Sequence, residues 1–352
     1  MEKLMDRDAV ESLRSWYQHN KRDLPWRRTR DPYRIWISEI MLQQTRVEAV
    51  KSYYTAFLEE FPTVEALANA EEERLLKMWE GLGYYSRARN LRRAAQTVME
   101  KHGGELPRDL RELRALCGIG DYTAGAIASI AFGIPAPAVD GNVLRVLSRL
   151  SGSEMDIALP QTKKCFAEAL GEVIPNDRAG DFTQAMIELG ATVCVPNGEA
   201  RCEVCPLREN CVARRENLTD VLPVKSAKKP RRVENLTVLL IRDDDRTVLR
   251  KRPSKGLLAG LYELPNFAGH LCEEEIAAAV RALGFEPIRV ERIEDSKHIF
   301  THVEWQMTAY AVKIASDFEE SSLSRDLHLV QSDTLRREYA VPSAFSAYAK
   351  YF

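Results

Sequence analysis

Cys194-Val195-Pro196-Asn197-Gly198-Glu199-Ala200-Arg201-Cys202-Glu203-Val204-Cys205-Pro206-Leu207-Arg208-Glu209-Asn210-Cys211 is the most informative stretch of this chain. Its cysteines follow the spacing C-x7-C-x2-C-x5-C, while Cys117, Cys165 and Cys272 stand singly elsewhere. A disulfide framework explains the grouping poorly, because the chain is long and shows no secretory signal. A metal centre explains it better. Four soft thiolates suit tetrahedral zinc or an iron–sulfur cluster. Structural zinc sites usually pair short C-x2-C hooks, and only one such hook is present, so the spacing favours a cubane-type cluster over zinc.

Outward from the cysteines, the bulk properties set the frame. The 352 residues suffice for two ordinary domains. An apolar fraction of 45% is that of a folded soluble protein. With a net charge of −2, any DNA-binding surface has to come from local arrangement of the 50 Lys and Arg residues. The first residues, Met1 to Val10, are charged and lack the apolar core of a signal peptide. The apolar stretch Ala124 to Val139 is broken by glycines and prolines, so no membrane span is expected. An intracellular, reducing compartment, cytoplasmic in a bacterial-type cell, fits the free thiols.

Up to about Leu218 the chain reads as all-α. Apolar residues recur at helical spacing in Val10, Leu13, Trp16 and Tyr17, in Ile35, Ile37, Ile40 and Met41, and in Val47, Val50, Tyr54 and Phe57. Gly81-Leu82-Gly83, Gly103-Gly104 and Gly118-Ile119-Gly120 break the helices. Residues 219–232, with Lys225, Lys228, Lys229, Pro230, Arg231 and Arg232, read as an exposed basic linker. Residues 233–352 read as α+β. Leu236 to Ile241 and Thr247 to Leu249 are expected as strands around an Asp243-Asp244-Asp245 turn, Glu273 to Leu283 as a helix stopped by Gly284, and Val303 to Ile314 as a strand.

Three segments carry chemistry. Leu116 to Ala126 reads as helix, glycine hairpin, helix. Gly118 and Gly120 let the backbone turn tightly, and the new helix N-terminus suits a phosphate. A plain helix connection is the bland alternative. In Asp140-Gly141-Asn142, the aspartate is expected to N-cap the next helix, and its carboxylate also suits a cationic sugar. In Ser38-Glu39-Ile40-Met41-Leu42-Gln43-Gln44-Thr45, Glu39 lies on a helix with little room for a polar face. A partly buried Glu there would have a raised pKa and could deliver a proton.

Hairpin, aspartate and terminal cysteines together resemble the endonuclease III branch of the helix-hairpin-helix DNA glycosylases. Ser38 to Thr45, Leu24-Pro25-Trp26-Arg27 and Gly81 to Leu91 narrow the resemblance to the adenine DNA glycosylases of the MutY type. The resemblance covers essentially the whole chain, since that type adds a Nudix-like (MutT-like) domain. It implies a multi-domain protein whose all-α glycosylase domain (1–218) contains the helix-hairpin-helix and an iron–sulfur module. A linker (219–232) and an α+β Nudix-like domain (233–352) follow. The partner implied is double-stranded DNA with adenine opposite 8-oxoguanine, or guanine, bound by a monomer. Adenine leaves the stack to be reached. Glu39 would protonate the base and Asp140 would stabilise the oxocarbenium-like sugar. Tyr122 and Asn142 would position them. Gln184 and Glu188, one helical turn apart, would face the adenine, and Trp26 and Arg27 would wall the pocket. Gln44 and Tyr84, with Thr45 and Leu82 beside them, would wedge into the duplex. Of the pair Tyr84 and Tyr85, one ring is expected in the core. Gly118 and Gly120 would grip a phosphate.

Phe300-Thr301-His302 matches the family's Phe-Ser-His loop, Thr301 keeping the hydroxyl that would meet 8-oxoguanine. The resemblance makes Cys194, Cys202, Cys205 and Cys211 ligands of one 4Fe–4S cluster, on a loop presenting Arg201 and Arg208 to phosphates. The first gap is one residue longer than the six of the family. The C-terminal helix clusters Glu273, Glu274 and Glu275 at its start and lacks the R-E-x-x-E-E metal pattern, so nucleotide hydrolysis is not expected. Two alternatives stand beside this reading: a glycosylase/lyase on oxidised pyrimidines, which would need Lys where Tyr122 stands, and a non-catalytic DNA-binding iron–sulfur protein.

Overall fold

The computed structural model describes residues 4–227, 230–316 and 323–351. Two compact units emerge: residues 1–70 with 90–227, and residues 71–89 with 228–352. The expected boundary therefore differs in one respect. Residues 71–89 lie among helices in sequence but pack with the C-terminal part.

The first unit is built of helices, with no strand among its described residues. One hydrophobic core joins the helices Arg7–Asn20, Gly141–Ser151, Pro160–Gly171 and Ala179–Thr192 through Leu13, Tyr17, Leu147, Phe166, Phe182 and Leu189. The helix Pro32–Leu42 starts where Asp31 accepts hydrogen bonds from the Tyr33 and Arg34 amides, with Pro32 in the first turn. Ile35, Trp36, Ile37, Ile40 and Met41 are all buried. Such a helix is covered nearly all round, so its one acid is buried with them. The expected linker is partly docked on this unit. Arg149 Nε donates to Leu222 O (2.9 Å), and Ile157 N donates to Val224 O (3.0 Å). Lys228 and Lys229 lie outside the described residues, and Arg232 already belongs to a strand.

The second unit holds a seven-stranded sheet: β1 (Arg232–Arg242), β2 (Arg246–Lys251), β3 (Tyr262–Glu263), β4 (Asn266–Ala268), β5 (Pro287–Ile299), β6 (Val303–Ile314) and β7 (Leu327–Gln331). The order is β3-β2-β1-β6-β5, with β4 on β1 and β7 on β2. Among the described residues, β1 and β6 form the one parallel pair, from Arg232 opposite Val303 to Arg242 opposite Lys313. Alternation along β1 gives the sheet two cores. Leu236, Val238 and Leu240 pack with Trp305, Met307, Phe345 and Tyr348. Leu239 and Ile241 pack with Ile276 and Val280 of the helix Glu273–Ala282. That helix spends its acids on its own start, Glu275 accepting the Cys272 amide at 2.8 Å. No helix among the described residues is long and apolar enough to cross a membrane.

Candidate active site

The helix Asp121–Ile130 follows the glycine hairpin. Gly118 has φ +79°, and a Cβ there would fall 2.7 Å from that of Asn90, so glycine is required on both counts. Gly120 differs from expectation. Its φ of −91° is ordinary for any residue, and no atom lies near where a side chain would stand. Its contribution is an open approach to the helix N-terminus.

That helix carries Tyr122 to the helix Pro32–Leu42, where its hydroxyl donates to Glu39 Oε2 at 2.8 Å. Glu39 is 7% exposed. Burial pushes its carboxyl from 4.5 to about 7; the Tyr122 hydrogen bond opposes this and the charge of Asp140 adds to it. Asp140 N-caps the helix Gly141–Ser151, accepting the Val143 amide at 2.8 Å through one oxygen and Asn142 Nδ2 at 2.9 Å through the other. Burial raises its carboxyl too, but these hydrogen bonds hold it back. Both carboxyls are raised by burial; Asp140 differs in accepting hydrogen bonds from Val143 N and Asn142 Nδ2, which favour its charged form. Behind them, Arg145 Nη2 donates to Asn142 Oδ1 (3.0 Å) and Gly190 O (2.7 Å), and its Nε to Cys194 O (2.7 Å).

Glu39, Tyr122, Asp140 and Asn142 line one cavity of about 500 Å³, together with Trp26, Arg27, Gln44, Thr45 and Gln184. The volume suits a nucleobase with part of its sugar. Glu188 is the exception. It is fully buried and does not line the cavity. Its carboxylate instead receives Arg22 Nε (2.8 Å), Arg22 Nη2 (2.7 Å) and Arg27 Nη2 (2.7 Å). Burial alone would raise this acid, but the arginine hydrogen bonds pull it down to about 2. Glu188 thus holds Arg27 against the cavity rather than touching its contents. Sequence reading missed Arg22, Gln43 and Lys163, which also line the cavity from three separate parts of the chain. Gln43 lies inside the stretch Ser38 to Thr45 already singled out, whereas nothing in the local sequence marks Arg22 or Lys163.

The four clustered cysteines line a second, small cavity with Leu150, Leu189 and Arg149. Among the described residues, no group of three or more His, Cys, Asp or Glu is arranged to hold a single metal ion. Burial raises the thiols of Cys202, Cys205 and Cys211, Cys205 to about 12. Buried thiolates need positive charge close by, and Arg149 Nη1 lies 3.3 Å from Cys194 Sγ. One cavity, four soft donors and a neighbouring guanidinium fit an iron–sulfur cluster.

Residues 37–175 match the HhH-GPD superfamily of base excision DNA repair proteins, and residues 237–351 match the NUDIX domain. The adenine DNA glycosylase of Homo sapiens is 34% identical, over 86% of this chain and 66% of its own length. That of Buchnera aphidicola subsp. Acyrthosiphon pisum is 33% identical, over 72% of each. The chain belongs to the adenine DNA glycosylases. It spans 66% of the human relative's length and 59% of the rat relative's. Among solved structures, a thermostable thymine-DNA glycosylase superposes with TM-score 0.54 at 29% identity, covering 59% of this chain and 95% of that one. Endonuclease III trapped as a covalent intermediate with DNA superposes at 0.53 and 26%, covering 62% and 99%.

The remaining expected residues of this adenine DNA glycosylase chain fall in two groups. Gln44 and Tyr84 both adopt left-handed backbone, at φ +59° and +47°, which is uncommon for side chains of this size. Tyr84 is 50% exposed while Tyr85 is 6% exposed, so the second ring is the core one. Leu82, expected beside Tyr84, is buried at 5% exposed. Phe300-Thr301-His302 forms the turn between β5 and β6, closed by Phe300 N donating to Val303 O at 2.8 Å. Phe300 stacks edge-on against His298 and Trp305, which leaves Thr301 and His302 outward. Thr301 Oγ1 lies 2.9 Å from the Tyr84 hydroxyl. Arg201 and Arg208 are exposed, Arg208 pairing with Glu209 at 2.8 Å.

Proposed function

We propose that this chain hydrolyses the N-glycosidic bond of adenine opposite 8-oxoguanine, or guanine, in duplex DNA. The observation that carries the reading is the buried, proton-holding Glu39 in the same cavity as the helix-capping Asp140. Glu39 delivers its proton to the extruded purine and turns it into a neutral leaving group. Tyr122 holds the carboxyl by its second oxygen. As the bond breaks, positive charge grows on the sugar, and Asp140 stabilises it with its own charge spread over Val143 N and Asn142. Glu39, now ionised, takes a proton from the incoming water. Gln184, Trp26 and Arg27 bound the base, and Gly118 and Gly120 receive a phosphate. Gln44 and Tyr84 enter the duplex, with Thr301 and His302 on the opposite base.

Tyr122 stands where imine chemistry would need an amine, so the reaction is hydrolysis without strand cleavage. An adenine:8-oxoguanine duplex incubated with the protein is expected to be cut only after alkali treatment. Strong nicking without alkali, trapped by borohydride, would instead support the lyase reading. Normal duplex binding with no adenine release would support the non-catalytic one.

We further propose that Cys194, Cys202, Cys205 and Cys211 hold one 4Fe–4S cluster, which would supply a cross-link between the end of the helix Ala179–Thr192 and the helix Val212–Arg215. Cys202→Ser is expected to lower bound iron, visible absorbance and melting temperature together. A full complement of iron at an unchanged melting temperature would reject Cys202 as a ligand.

A further inference from the structure

Residues 71–89 are attached to the rest of the second unit by a polar seam that the reaction does not account for. Lys77 Nζ donates to Tyr339 O at 3.0 Å, and Glu80 Oε1 accepts the Val341 amide at 2.8 Å. Lys77 and Glu80 join each other at 2.6 Å, both less than one-third exposed. At the other end, Arg89 Nη2 donates to Ala259 O at 2.5 Å and Nε to Glu72 at 2.7 Å. Gly260 has φ +64°, and a Cβ there would approach Arg89 Nη2 to 2.8 Å, so glycine is what lets the guanidinium in. Three of these bonds end on backbone atoms of 259 and 339–341. They therefore set where the segment lies, whatever side chains those positions carry.

Between the two anchors sits the turn Gly81 to Tyr84. Arg87 Nη2 donates to Leu82 O (2.8 Å) and Gly83 O (3.0 Å), and Trp79 Nε1 donates to Gly83 O (3.1 Å). The Arg87 guanidinium lies 5.3 Å from the Trp79 ring and 5.7 Å from the Tyr84 ring. Tyr84 leaves this turn in strained left-handed backbone, half exposed, and ends 2.9 Å from Thr301. A strained, exposed residue keeps such a place only if both ends of its segment are held.

We propose that Glu80, paired with Lys77, is a positioning residue for reading the base opposite adenine: it fixes the segment so that Tyr84 and Thr301 meet that base as one rigid edge. This rests on the assignment of Tyr84 and Thr301 to the opposite base. An exposed ion pair contributes little. Glu80 and Lys77 are different because each also bonds a backbone group of the partner segment.

The test uses the whole 352-residue chain, cluster-loaded, and compares adenine release from adenine:8-oxoguanine and adenine:guanine duplexes. Glu80→Ala is expected to lower the ratio of the two kcat/KM values by about tenfold, through KM, with the rate at saturating enzyme unchanged. Glu80→Gln keeps an acceptor for Val341 and recovers most of the ratio. In a Tyr84→Ala background, Glu80→Ala adds no further loss, because it acts through Tyr84. If Glu80→Ala does not fold, Gly260→Ala perturbs the Arg89 end and lowers the same ratio. An unchanged ratio with a lowered melting temperature would reduce the seam to a structural tie and overturn the proposal, as would losses that simply add. A Tyr84→Ala protein with an unchanged ratio would overturn the parent assignment instead.

Discussion

Glu39→Gln is expected to bind an adenine:8-oxoguanine duplex as the wild type does and to release adenine about 10³-fold more slowly, the range of a lost general acid. The substitution keeps the shape of the side chain and an acceptor for the Tyr122 hydroxyl, which lies 2.8 Å from the carboxyl now. What it removes is the proton. The wild-type acid is held protonated up to about pH 7, so release is expected to fall as pH rises through that value. Stability gives a second readout of opposite sign. The folded-state value lies above the ordinary 4.5, so Glu39 favours the fold fully below pH 4.5, and that contribution is lost as pH rises toward 7. The neutral amide has no such loss. Above pH 7, Glu39→Gln is expected to melt higher than the wild type, by the equivalent of up to about 3 kcal/mol. A single-turnover assay across pH with a thermal melt series checks both. Release at the wild-type rate would remove Glu39 from the chemistry.

Glu188→Ala is expected to be the most damaging change outside the two acids. Its carboxylate is fully buried and takes hydrogen bonds from Arg22 and Arg27. Deleting it leaves Arg27, almost as deeply buried, without its carboxylate, at a cost of about 3–5 kcal/mol. The sign follows from the depressed acid. The pair's contribution is complete above the ordinary 4.5 and disappears as pH falls toward about 2. Urea denaturation should therefore show a large gap between variant and wild type at pH 7, narrowing once pH drops below about 4.5. Adenine release should also weaken, because Arg27 loses the group that orients it at the cavity. A gap that does not change with pH would mean that lost packing, not the ion pair, is the cause.

Glu39 and Glu188 show why one site was partly legible and partly not. Glu39 announced its burial, because Ile35, Trp36, Ile37, Ile40 and Met41 left no polar face on its helix. Glu188 sits one turn from Gln184, so helical spacing alone makes it a companion at the adenine. Helical spacing tells which side chains share a face; it does not tell which of them another segment reaches first. Arg22 and Arg27, more than 160 positions away in the chain, take Glu188. Leu82 stands two positions from Tyr84 in the same turn, where no regular period says which side chain faces out, and it is buried while Tyr84 is half exposed.

By itself the sequence determined the local features: helices before Leu218, alternating strands after Arg232, the cap at Asp140, the turn at Gly118, and the four grouped thiols. Each depends on contacts within a few residues, which composition and period express directly. Only the tertiary structure decided that Tyr122 meets Glu39 across two helices, that Glu188 serves two arginines and not the cavity, and that residues 71–89 belong with the sheet. These depend on contacts between distant segments. Their energy comes from burying charge and hydrogen-bonding groups together, and no short window of the chain contains both partners.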